Sequence, residues 1–314
     1  MEMALALLIT GFSTGTTTVA YGVLPTYFDK YYNISVSILS CGMSFGMIVM
    51  PLITQLFRDI YGWRGAMLLL CGITFHSICC GALFKPVDQT YGLLSQSNFS
   101  KEAEDTRGTR ISQLRNITRS LDIDLFFNST FLAIMSIYLG NGYATTGWLI
   151  YIVPHALDLG FSPYEASMVA TLGGIGNLVG NCLLPLLGKL LSNQVQLYSS
   201  VTVISCSFVL DYVASYFFSY FGVVTCSIIY GLARGIMTSS CYAILVDVLD
   251  ENQMINAIGW LYAGYGFSSL LSGFVCGWLF DQTGSYGLTF LVLGAVCGVS
   301  LFPKCVDDLR RKPG

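Results

Sequence analysis

FGVVTCSIIYGLARGIMTSSCYAILV, residues 221 to 246, carries one charged side chain in its whole length, Arg234 near the middle. As a helix rising about 1.5 Å per residue it would cross a hydrocarbon core about 30 Å thick, which takes roughly 20 residues. Similar runs recur outward in both directions, at 3–24, 34–57, 65–84, 126–152, 166–188, 197–218, 256–279 and 284–303, and among these only Asp211 adds a charge. They lack the ten-residue alternation of membrane strands, so helix is the expected state for all nine. The expected fold is therefore all-α, a polytopic membrane helical bundle of about nine transmembrane helices. Composition agrees: of 314 residues 54% are hydrophobic and 11% charged, with mean hydropathy +0.65, where soluble domains carry about 25% charge. Soluble enzymes, nucleic-acid binders and secreted disulfide modules are excluded as descriptions of the whole chain. The 11 cysteines lie mostly in apolar runs, with no CxxC pair and no Cys/His cluster at metal-ligand spacing, and read as small filler between helices.

Residues 86–124, PVDQTYGLLSQSNFSKEAEDTRGTRISQLRNITRSLDID, are polar and unable to bury a core of their own. They are expected to link a partial N-terminal bundle of three spans (1–85) to a six-helix bundle (125–303), with a tail at 304–314. One alternating set of connections holds Lys30, Lys85, five basic residues of the linker, Lys189 and four basic residues of the tail, whereas the other holds only Arg58 and Arg64. Twelve against two places the linker and tail in the cytoplasm. The sequons at Asn98, Asn116 and Asn128 would then face away from the glycosylating compartment or lie at the membrane edge, and count as chance matches. No basic n-region or small-residue cleavage site precedes the first span, so no signal peptide is expected.

Glycines four apart recur as Gly11/Gly15, Gly42/Gly46, Gly176/Gly180, Gly231/Gly235, Gly273/Gly277 and Gly294/Gly298. Such spacing lets helix backbones approach closely in lipid. Residues 27–65, YFDKYYNISVSILSCGMSFGMIVMPLITQLFRDIYGWRG, resemble the monocarboxylate transporter family of the major facilitator superfamily, through Tyr27, Phe28, Lys30, Gly42, Gly46, Pro51, Leu52 and the run Tyr61-Gly62-Trp63-Arg64-Gly65. YIVPHALDLGFSPYEAS and SGFVCGWLFDQTGSYGLTF extend the resemblance over nearly the whole chain. It implies a major facilitator fold, whose members have twelve helices in two sets of six. The match begins at the fourth, so the chain looks like a member without its first three helices, arranged as three plus six.

No nucleophile, general acid–base pair or phosphate loop stands out, and TLGGIGNLVGN lies inside an apolar span, so no catalysis and no cofactor is expected. Polar groups inside the spans are the candidates. Arg234 has two readings: counter-ion to a solute carboxylate, held through its planar fork, or structural partner of Asp211, which an antiparallel hairpin would bring within about 8 Å in depth. Asn177 and Asn181, four apart, share a helix face and can present amides to a common cavity. The resemblance implies an Asp and an Arg at these two positions in proton-coupled lactate carriers. Two asparagines argue against proton coupling through this pair and against the usual lactate site. Asn141 and Tyr143 are further candidates for hydrogen bonds to solute. Lys30 and Asp281 are expected to act structurally or in gating, His155 to be an interfacial histidine or pH sensor, and His76 to be satisfied by a neighbouring helix.

The expected function is a plasma-membrane carrier moving a small organic anion or zwitterion, a monocarboxylate by preference, through alternating access. The rival expectation is a shortened protein incompetent in transport that acts by associating with a full-length carrier. Expected partners are the solute, the lipid bilayer and an ancillary membrane subunit, with no nucleic acid and no metal.

Overall fold

The computed structural model describes residues 32–82, 122–188, 190–217, 219–249 and 251–311. Among these residues the chain is helical without strands: α1 (Tyr32–Ala82), α2 (Ser129–Asp158), α3 (Pro163–Leu187), α4 (Asn193–Tyr216), α5 (Tyr220–Val248), α6 (Glu251–Thr283), α7 (Tyr286–Val299) and α8 (Phe302–Arg311), with a 3-10 turn at Ile123–Phe127. The spans expected at 34–57 and 65–84 are the two halves of α1, broken at Gly62. Gly62 adopts φ 67° and ψ 178°, a region that only glycine enters without strain. The six later spans correspond to α2 through α7. The span expected at 3–24, Lys30, and all but the last residues of the linker lie outside the described residues, so the count of nine is not established.

Helix starts follow from sequence. Asn128 accepts from the backbone N–H groups of Thr130 and Phe131 at the head of α2. Ser162 and Glu165 form a reciprocal capping box at the head of α3: Glu165 Oε2 accepts from the Ser162 backbone at 2.9 Å, and Ser162 Oγ accepts from the Glu165 backbone at 3.3 Å. Pro163 takes the first helical position, where a missing N–H costs nothing.

Six helical stretches among the described residues are long and apolar enough to cross a membrane: Ser37–His76, Pro163–Leu183, Asn193–Tyr216, Tyr220–Val248, Asn256–Thr283 and Tyr286–Leu309. Polarity is arranged inside out. Phe221 and Leu270 are 80% and 78% exposed, whereas Asn141, Asn177, Asn181 and Asp211 are buried. Lipid tails are as apolar as leucine, so the helices are held by close backbone packing and interhelical hydrogen bonds.

The tightest packing joins α3 to α5. A methyl group on Gly176 would stand 2.4 Å from the Ile228 carbonyl oxygen, one on Gly180 2.2 Å from that of Leu232, and one on Gly235 2.5 Å from that of Asn177. Two of the glycine pairs thus interlock, Gly176/Gly180 with Gly231/Gly235. Gly294 and Gly298 pack against Ser205 and Phe208 of α4, while among the described residues nothing lies within 4 Å of a methyl group added at Gly42 or Gly46.

Most of the expected tail is helical. Residues 302–311 form α8, which docks across the first turns of α2 and α4: Asp307 accepts from Ser129 and Thr130 (2.7 and 3.0 Å), and Asp308 pairs with Lys304 and accepts from the Tyr198 hydroxyl. A ten-residue helix rich in Lys, Asp and Arg has no apolar run to announce it in sequence.

Candidate solute site

Arg234 lies midway along α5, 9% exposed. Its Nε donates to Thr145 Oγ1 at 3.0 Å and its Nη1 approaches Met47 Sδ at 3.1 Å, so α2 and α1 both reach it. Thr145 Oγ1 in turn donates to Asn141 Oδ1 at 3.1 Å, one turn back on α2, and accepts a longer contact from the Tyr230 hydroxyl at 3.3 Å. Every one of these partners is neutral. Among the described residues no carboxylate lies within 4.0 Å of the guanidinium, the ion pairs being His155–Asp211 and Lys304–Asp308. The reading of Arg234 as structural partner of Asp211 is therefore corrected: the Asp211 carboxylate instead faces His155 on α2, with Oδ2 3.5 Å from Nε2.

Asn177 and Asn181 do share one face of α3, and it is the face toward α1 and α5. Ser44 Oγ of α1 donates to Asn177 Oδ1 at 2.6 Å and accepts from Asn181 Nδ2 at 2.9 Å. Ser239 of α5 donates to Asn181 Oδ1 at 3.0 Å, and Asn177 Nδ2 reaches the Gly231 carbonyl oxygen at 3.4 Å. These amides form an uncharged seam between three helices. Cys41 and Cys182 flank it with sulfurs 3.7 Å apart.

Asn141 stands with Thr145 beside Arg234, but Tyr143, two residues on, points elsewhere: its hydroxyl is 3.9 Å from Cys276 Sγ of α6. Asp281 is exposed in the last turns of α6. His76 is exposed, and among the described residues its ring meets its own helix, one nitrogen 3.0 Å from the Gly72 carbonyl oxygen, and not a neighbouring one. Thr145, Ser44, Ser239 and Met47 were not singled out by sequence. Thr145 carried a signal in its four-residue spacing from Asn141, whereas the serines and Met47 resemble the other small or apolar residues of their spans.

The model of the Major Facilitator Superfamily matches residues 1–226, most of the chain. The chain belongs to the Major Facilitator Superfamily. It is a multi-pass membrane protein, and its superfamily relatives are transporters and not enzymes. Among them, monocarboxylate transporter 12 of Xenopus laevis is 23% identical over 314 residues, covering 94% of this chain and 66% of that protein. Monocarboxylate transporter 12 of Mus musculus is 23% identical (88% and 59% covered), and monocarboxylate transporter 11 of Homo sapiens 25% identical (88% and 56%). The chain thus spans between about half and two thirds of the length of these curated relatives. The solved fucose:proton symporter of E. coli shares the superfamily fold, with TM-score 0.60 at 13% identity, covering 94% of this chain and 73% of that one.

Proposed function

We propose that the chain is the principal part of a membrane carrier for a small organic anion, a monocarboxylate by preference, working by alternating access. The observation that carries the reading is Arg234, a buried mid-span cation contacted by Thr145 and Met47 and matched by no carboxylate among the described residues. A permanent charge in such a place is expensive unless an anion offsets it. A solute carboxylate would do so bidentately, and would then meet Asn141 and Thr145 on α2. Asn177 and Asn181 contribute at the seam beside it, Tyr143, turned toward α6, stays outside this group, and Lys30 and Asp281 act in gating. Alternating access moves the helical unit before the linker against the six-helix unit after it, with the α1–α3 seam as one sliding contact. The linker and C-terminus face the cytoplasm of the plasma membrane, the orientation that the basic residues favour.

Uptake of radiolabelled monocarboxylates by cells expressing the protein tests this. Arg234→Gln should abolish uptake at unchanged surface abundance, while Arg234→Lys, which keeps the charge and loses the fork, should retain a fraction. Undiminished uptake by Arg234→Gln would sink the assignment.

A further inference from the structure

Ser44 and Met47 are three residues apart on α1 and share the face turned toward α3 and α5. At Ser44 that face is tied to α3 by the hydrogen bonds with Asn177 and Asn181. Beside Met47 the backbones nearly touch: a methyl group on Gly174 of α3 would stand 3.1 Å from the Met47 carbonyl carbon and 3.1 Å from the Ile48 nitrogen. The crossing fixes where the Met47 backbone stands, and its flexible side chain spans the remaining gap to Arg234 Nη1 on α5. We propose that Met47 is a positioning residue whose sulfur holds the Arg234 guanidinium while the site is empty, and that an arriving carboxylate displaces it and so releases α1 from α5. The inference rests on the carboxylate reading of Arg234.

Guanidinium geometry carries the argument. Nε donates to Thr145 Oγ1, so the edge left for two-point binding of a carboxylate is the one formed by Nη1 and Nη2. Met47 Sδ sits 3.1 Å from Nη1, so solute and thioether compete for the same nitrogen. The competitors are unequal. A thioether is a weak neutral acceptor, whereas a carboxylate makes charge-assisted hydrogen bonds about twice as strong as neutral ones. The sulfur therefore engages a buried cation and yields it to an anion.

Thr145 keeps its bond to Nε through the exchange, so α2 stays joined to α5 and the contact that changes is the one to α1. A ligand shifts a conformational equilibrium only by interacting differently with its two states. Displacement of Met47 supplies such a difference at a junction between the helix before residues 86–124 and the helices after them. Leucine would fill nearly the same volume with no acceptor, and glutamine would present a stronger acceptor on a chain of similar length.

The test uses the full chain in lipid nanodiscs and the rate at which copper phenanthroline links Cys41 to Cys182, whose sulfurs are 3.7 Å apart. Cys41 is six residues before Met47, so linking, read by mass spectrometry, reports how closely α1 is held. Without solute, Met47→Leu should slow linking by at least about twofold, the low end of what one hydrogen bond is worth, while Met47→Gln keeps at least the parent rate. Propionate should slow linking in the parent, should need at least about twofold higher concentration to do so in Met47→Gln, and should change nothing in Met47→Leu. A merely structural methionine gives the opposite order, because leucine conserves volume and glutamine buries an extra amide. Linking at the parent rate in Met47→Leu, or a parent unmoved by propionate, overturns the proposal. Should Met47→Gln fail to assemble, the comparison of the parent with Met47→Leu decides. Uptake lost in Arg234→Gln while Met47→Leu links like the parent would remove this inference and leave the carboxylate reading standing; uptake undiminished in Arg234→Gln would remove both.

Discussion

Gly231 on α5 faces Gly173 on α3 so closely that a methyl group at position 231 would stand 2.0 Å from the Gly173 carbonyl oxygen. The opposing atom is backbone, so no rotamer change relieves the contact, and a side chain there drives two helices apart.

Gly231→Ala should therefore destabilise the protein by about 1–3 kcal/mol. Gly42→Ala, with nothing within 4 Å of the added carbon, should stay within about 0.5 kcal/mol of the parent. Thermal unfolding in detergent compares the two, and equal melting temperatures would contradict the packing described.

Asn181→Leu removes an acceptor from Ser239 and a donor from Ser44, leaving buried hydroxyls without those partners. The cost should be about 1–2 kcal/mol, accompanied by loosening of α1 from α3. Copper-catalysed oxidation reads that loosening: Cys41 and Cys182, with sulfurs 3.7 Å apart, should cross-link readily in the parent and more slowly in Asn181→Leu. Mass spectrometry of the linked peptides checks it, and equal rates would mean that the seam does not hold the helices.

Gly62→Ala should cost about 1–3 kcal/mol from backbone strain alone, since nothing among the described residues lies within 4 Å of the new methyl group. Protease susceptibility near Tyr61 and Trp63 should rise in parallel. An unchanged melting temperature would show that the joint relaxes into ordinary helix.

Epitope tags at Ser97 and after Gly314 should be reached by antibody only after cells are permeabilised, the outcome that the distribution of basic residues favours. Staining of intact cells at either position would reverse the orientation.

The helices α2 through α7 could be read from sequence because each coincides with a long run carrying at most one charge, and the break within α1 because Arg58 and Arg64 interrupt the apolar pattern. Partners were harder, and Asp211 shows why. Helical rise gives a residue's depth, so Asp211 and Arg234 looked compatible, but the facing of two helices is set by their mutual rotation, which one sequence does not display. Asp211 turns toward His155, and Arg234 toward Thr145. Tyr143 shows the same limit at shorter range: two residues from Asn141 is about 200° around the helix, and its hydroxyl meets α6 while Asn141 meets Thr145. Asn177 and Asn181 were correctly placed on one face, and only the packing revealed that this face meets Ser44 and Ser239.

The seam of Ser44, Asn177, Asn181 and Ser239 is built from hydroxyls and amides, groups that neither gain nor lose a proton in the physiological range. Sliding along it, as alternating access would require, would carry no net charge through the membrane field, so the voltage across the bilayer would perform no work on these four residues. Acidifying either side leaves their adhesion as it was. These four side chains are thus indifferent to both components of the proton-motive force, and any electrical or pH bias on the proposed movement would have to enter through other residues.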